Sequence, residues 1–249
     1  MPKLGLQLYT LRDLLKEDFI GTLRKVSKIG YEGVEFAGYG DMSIRELRRA
    51  VDDLGLTPVS NHVPLAHLET KLDIVIEEAK ELGISYIVCP FIAEDRRKDA
   101  NDYRKLAALF NQVGEKLAQE GLKFAYHNHA FEFVKFNEQY ALDALYQWTD
   151  LQFVQAELDV YWIEYAGESA VEYIKKYANR TELLHVKDMT NDDERFFAEV
   201  GSGCLNIPGI LETAQASNIL WYLVEQDVSR RNPLESVEMS YRYLSGIEK

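Results

Sequence analysis

The chain has 249 residues, 47% of them hydrophobic, with 28 Lys and Arg against 41 Asp and Glu, a formal net charge of -13. That length suits one large core and is close to the about 250 residues of an eight-unit α/β barrel, while the acidity works against nucleic acid or an anionic membrane surface, both of which are held by Lys and Arg. Two cysteines, Cys89 and Cys204, are too few for a disulfide framework, and no stretch of about 20 apolar residues suggests a membrane span.

In chain order, short apolar runs alternate with segments of helical period, the pattern of βα units around a parallel sheet. The first unit pairs Leu4 to Tyr9 with a helix from Phe19 to Ile29, and the second pairs Gly33 to Ala37 with Ile44 to Leu54. Pro58 to Val63 precedes a helix from about His67 to Leu82, and Tyr86 to Pro90 precedes Asn101 to Gln119. Gly30, Gly55, Gly83 and Gly121 stand where these helices should stop. The fifth unit is Lys123 to His129 with Glu138 to Trp148, and the sixth is Phe153 to Val160 with Ser169 to Tyr177. The seventh strand, Glu182 to Asp188, leads into an irregular stretch from Met189 to Asn206, the expected mobile lid, and a helix from Pro208 to Ser217. Trp221 to Asp227 and a helix from Glu235 to Ser245 complete eight units. The expectation is one (β/α)8 barrel domain over residues 1–249. The turn after the first strand, Tyr9-Thr10-Leu11-Arg12, lacks the glycines that a nucleotide-binding open sheet would carry there.

Ionisable residues gather where the strands end, which in a parallel barrel is the active-site face. They are Glu35, His62, His127, His129, Glu132, Asp159, His185, Lys187, Asp188, Glu225 and Asp227. So many carboxylates at a buried mouth need a compensating positive charge, and a divalent metal ion supplies it. Glu157 shares a strand face with Asp159 and reads as an interior ion-pair member. His127 and His129 share another face, and one of them is expected only to orient a ligand carboxylate.

Four segments, His127-Asn128-His129-Ala130-Phe131-Glu132, Leu158-Asp159-Val160-Tyr161-Trp162, His185-Val186-Lys187-Asp188 and Val224-Glu225-Gln226-Asp227, occur in order at successive strand ends. With them the whole chain resembles the xylose isomerase-like TIM barrel superfamily, the sugar phosphate isomerase/epimerase group that also includes inosose dehydratase, tagatose epimerase and apurinic endonucleases. The resemblance implies that Glu132, Asp159, His185 and Glu225 hold one divalent metal ion, with Mn²⁺ expected first and Mg²⁺, Co²⁺ or Zn²⁺ also compatible. It further implies that Glu132 and Glu225 act as catalytic base and acid; residue type and position at the strand ends make His62, Lys187, His129, Trp162 and Glu35 the expected substrate contacts. The implied activity is a metal-dependent sugar isomerase or epimerase working by proton abstraction beside a carbonyl. The alternatives are a lyase or dehydratase acting on a keto sugar or inosose, and a non-catalytic sugar-binding barrel. A small-molecule sugar or polyol is the expected partner, in a cytoplasmic protein that could form a homodimer, with no nucleic acid or membrane involved. Trp162 stands where the endonucleases and tagatose epimerase carry a histidine, which argues against a three-metal cluster.

Overall fold

The computed structural model describes residues 2–247. Eight parallel strands close into a barrel: β1 (Lys3–Gln7), β2 (Gly33–Phe36), β3 (Thr57–His62), β4 (Tyr86–Cys89), β5 (Lys123–His127), β6 (Val154–Asp159), β7 (Thr181–Val186) and β8 (Trp221–Val224). Each strand pairs with the next in sequence, and β8 pairs with β1, Leu6 lying opposite Val224. The fold is a (β/α)8 TIM barrel, as the alternation of runs implied. No helix among the described residues is long and apolar enough to cross a membrane.

Strand parity divides the side chains into two cores. One set, including Leu4, Leu6, Val34, Phe36, Ile87, Phe124, Leu184 and Val186, packs against the outer helices. The other set fills the barrel: Val59, Tyr86, Val88, Ala125, Leu183, Trp221 and Leu223 form an apolar plug. Gly33 makes room for that plug, since a Cβ there would lie 2.7 Å from the Trp221 ring. Above the plug the same inward phase continues through His185 and Lys187 on the seventh strand and its exit, and through Glu225 and Asp227 after the eighth. The barrel interior thus changes from apolar to ionisable along a single set of positions.

The helix over Phe19–Ile29 forms as expected, capped by Asp18, whose Oδ1 accepts from the Gly21 N–H at 2.8 Å. Gly30 and Gly83 end their helices at φ of 120° and 81°. Other boundaries differ. The strand expected to reach Tyr9 stops at Gln7, because its side chain accepts from the Tyr9 N–H and turns the chain into a 3-10 helix over Leu8–Leu11. The helix expected from His67 to Leu82 is two, Leu65–Thr70 and Leu72–Leu82, parted at Lys71. Glu138 and its neighbours form a small hairpin, pairing Lys135–Phe136 with Gln139–Tyr140, instead of starting a helix.

The connection after β7 is tied down at its base. The Asp188 carboxylate accepts four backbone N–H groups, from Met189 (2.8 Å), Gly201 (2.9 Å), Gly203 (3.0 Å) and Leu205 (3.1 Å). Asp188 therefore organises the loop, and its carboxylate is not available to a ligand.

Candidate metal centre and cavity

Two groups of ligating side chains meet at the barrel mouth. The donor atoms of His127, Asp159, His185 and Glu225 lie within 4.8 Å of one another, and all four residues are buried. They come from the ends of β5, β6, β7 and β8. A second group, His62, His127, Glu157 and His185, satisfies the same separation.

The two histidines common to both groups explain this double grouping. His127 directs Nδ1 at Glu157 Oε2 (3.1 Å) and Nε2 toward Asp159 Oδ2 (3.6 Å). His185 directs Nε2 at Glu35 Oε1 (2.7 Å) and Nδ1 at Glu225 Oε2 (3.0 Å). Each imidazole therefore has one nitrogen toward Asp159 and Glu225 and the other toward a pair of fully buried glutamates. Those glutamates are held in turn: Gln7 and Ser60 donate to Glu35, at 2.7 and 2.5 Å, and His62 Nε2 sits between Glu35 (3.0 Å) and Glu157 (2.8 Å).

Lys187 completes the charge balance. Its Nζ, fully buried, lies 3.0 Å from Asp159 Oδ2, 2.5 Å from Glu225 Oε2 and 3.0 Å from Asp227 Oδ1. Burial opposes its charge, but the three carboxylates outweigh burial and hold the ammonium well above its ordinary range. By the same contest Glu35 and Glu157 hold His185 well above the imidazole range, and they raise His62 to about 10. Burial also opposes ionisation of Glu225, yet Lys187 and His185 pull it below the usual carboxylate value. His127 has the opposite fate: burial, reinforced by the neighbouring His185, keeps it neutral. Burial pushes Asp227 up to about 6.

Of the four ligands implied by the resemblance, three come together and Glu132 does not. It lies in the 3-10 turn Ala130–Phe133, where one carboxylate oxygen accepts from the His129 backbone N–H at 2.8 Å and the other from the Tyr126 hydroxyl. Neither ligating group contains it. His127 stands in the fourth place, and its register partner on β6, Glu157, supplies the signal: a histidine at a strand end facing an inward acid. The donor set is thus two imidazole nitrogens and two carboxylate oxygens, which suits Zn²⁺, Mn²⁺ or Co²⁺ and fits the metal the family implies.

A cavity of about 670 Å³ opens above this group, its wall including His62, His127, His129, Lys187, Glu225 and Asp227. Glu35 and Glu157 lie beneath, tied to the histidines. Trp162 and Glu132 are not on the wall; the Trp162 ring packs against His129, with 5.3 Å between centroids, and lies 5.7 Å from Lys187 Nζ. The Trp162 backbone N–H caps Asp159 Oδ1 at 3.0 Å, leaving Oδ2 for the cluster.

The sequence pattern of the xylose isomerase-like TIM barrel family matches residues 23–245. The chain belongs to that family. An inosose dehydratase of Clostridium perfringens is 30% identical over 162 residues, 57% of this chain and 54% of that protein, so the match spans about half the relative's length. The inosose dehydratase of Clostridium beijerinckii is 28% identical over an alignment covering 93% of this chain and 91% of the relative. A sugar phosphate isomerase/epimerase structure from Parabacteroides distasonis superposes with a TM-score of 0.83 at 30% identity, covering 98% of this chain and 93% of that one. The IOLI protein, whose structure carries a zinc atom, superposes with a TM-score of 0.78 over 98% of this chain and 97% of that one; at 16% identity this is a likeness of fold alone.

Proposed function

We propose that this protein is a divalent-metal-dependent isomerase or epimerase of a sugar or polyol, working by proton transfer beside a substrate carbonyl. The observation that carries this reading is the convergence of His127, Asp159, His185 and Glu225 at the barrel mouth, where His127 and Glu225 reach the cavity wall with Lys187 beside them. A divalent ion held by these four residues would supply Lewis acidity toward a carbonyl oxygen. Lys187 places its ammonium where a developing oxyanion needs a donor. Glu225 and Asp227 both face the cavity and flank Lys187, and they are the carboxyl groups able to take and return a carbon-bound proton. Asp227 thereby replaces Glu132 in that role, since a group near 6 can both accept and donate at neutral pH. Mn²⁺, Zn²⁺ and Co²⁺ all suit the mixed nitrogen and oxygen donors.

Elimination is the second reading, and the inosose dehydratases among the relatives favour it. It shares the first proton abstraction and differs in losing a β substituent before the proton returns. Proton NMR in deuterium oxide, with metal-loaded protein and a panel of ketoses and inososes, tests both. Deuterium entering beside the carbonyl together with a new sugar supports isomerisation or epimerisation, and loss of water supports elimination. Asp227→Asn is expected to slow the exchange by about 100-fold or more while retaining metal. A metal-loaded wild-type protein that exchanges no substrate proton overturns the proposal.

A further inference from the structure

The cavity is larger and less polar than a metal-bound monosaccharide needs. Its about 670 Å³ lies within the roughly 300–1,000 Å³ range of pockets that enclose ligands well beyond a single ring. The wall is also divided. The metal-binding group and its neighbours His129, Lys187 and Asp227 come from β5 to β8 and their exits, whereas the rest of the wall, including Tyr9, Tyr39, Val63, Pro64 and Phe91, follows β1 to β4. Tyr9 and Phe91 are 44% and 49% exposed, large aromatic rings left in water at the mouth. Asn61 fixes one rim by donating to the Tyr39 hydroxyl at 2.8 Å. Arg12 covers one face of the Tyr9 ring, which leaves its opposite face and the Phe91 ring as flat apolar surfaces for a second ring to stack on.

The charges on the wall oppose an anionic tail. Lys187 is the sole Lys or Arg on the cavity wall among the described residues, and Asp159, Glu225 and Asp227 already surround its Nζ within 3.0 Å. Glu78 adds negative charge to the aromatic arm. Arg12, nearby, lies over the Tyr9 ring at 4.3 Å and donates to the backbone carbonyls of Tyr9 and Asp227. A phosphate would meet carboxylates there and no unengaged guanidinium or ammonium.

We infer that the substrate is an uncharged glycoside whose reacting sugar bears the carbonyl and lies over the metal-binding group, with its second ring in the aromatic arm between Tyr9, Tyr39 and Phe91. This rests on the function proposed above, whose substrate it narrows. The second ring is either an arene or another sugar, since both offer a flat apolar face. Titration calorimetry of the metal-loaded protein with glucose, phenyl β-D-glucopyranoside, cellobiose and glucose 6-phosphate tests it. Phenyl glucoside or cellobiose should bind at least about tenfold more tightly than glucose, and glucose 6-phosphate no more tightly than glucose. The better of the two glucosides identifies the ring. The preference should vanish in Tyr9→Ala/Phe91→Ala, with metal content and glucose affinity unchanged. Equal affinity for glucose and both glucosides, tightest binding of the phosphate, or no binding of any of the four overturns the inference. Failure of the underlying function reads differently: the tenfold preference would persist in a protein that neither retains metal nor exchanges substrate protons.

Discussion

Glu35 and Glu157 lie beneath the cavity, yet they decide which nitrogen each metal-facing histidine offers. A carboxylate accepting from His127 Nδ1 leaves Nε2 free, and one accepting from His185 Nε2 leaves Nδ1 free. Glu157→Gln and Glu35→Gln should each lower metal affinity by about 10- to 100-fold, measured by competition with a chromophoric chelator. Unchanged affinity in a folded variant would reduce the glutamates to packing. Glu132 makes a different prediction. Burial pushes it up from 4.5 to about 8, over the opposing bonds from Tyr126 and the His129 N–H. A carboxyl raised in the folded state stabilises fully below 4.5, and that contribution is lost as pH climbs through about 8. The melting temperature of the metal-stripped wild type should therefore fall relative to Glu132→Gln as pH rises across that window. Parallel curves would show that Glu132 titrates normally. The sequence names Glu132 through its motif but not its direction, because a residue beyond the last strand position has no parity to fix its side chain. Glu157, inside β6, has that parity, and its interior pairing was readable.

Elements that end in a self-contained signal were the readable ones. Asp18 and Gly30 bracket the helix over Phe19–Ile29, and both signals act within a turn of the residues they govern. The break at Lys71 carries no comparable mark, since no side chain caps either of the two helices where they meet. Asp188 shows the same limit. In sequence it is one more acid at the end of the seventh strand, and only the returning chain at Gly201 to Leu205 reveals its partners. Asp188→Ala would strand four backbone donors and should destabilise the protein by about 3 kcal/mol in chemical denaturation, with faster hydrogen exchange confined to 189–206. Uniform exchange across the barrel would mean that the loop is held by other contacts.

At the scale of the molecule, the barrel stacks an apolar plug beneath a layer of ions, and the plug fixes the height of that layer. Gly33→Ala would press a methyl group against Trp221 and should cost about 1–3 kcal/mol, again by denaturant midpoint. A neutral result would show that Trp221 can shift without disturbing the barrel. The closed topology was legible because eight repeats of one pattern are hard to mistake. The division of labour between the two halves of the mouth was not, because it depends on loops whose positions only closure determines.

The buried cations have one more consequence. Lys187, His62 and His185 hold protons where the surrounding carboxylates carry charge, so the metal-free centre behaves as an ion exchanger already loaded with hydrogen ions. His185 cannot give its Nδ1 electrons to a metal while that nitrogen is protonated, and uptake must expel at least one proton. Calorimetric metal titrations in two buffers of different ionisation enthalpy should then give heats that differ by that proton count, and acidification should drive the ion out without unfolding the barrel.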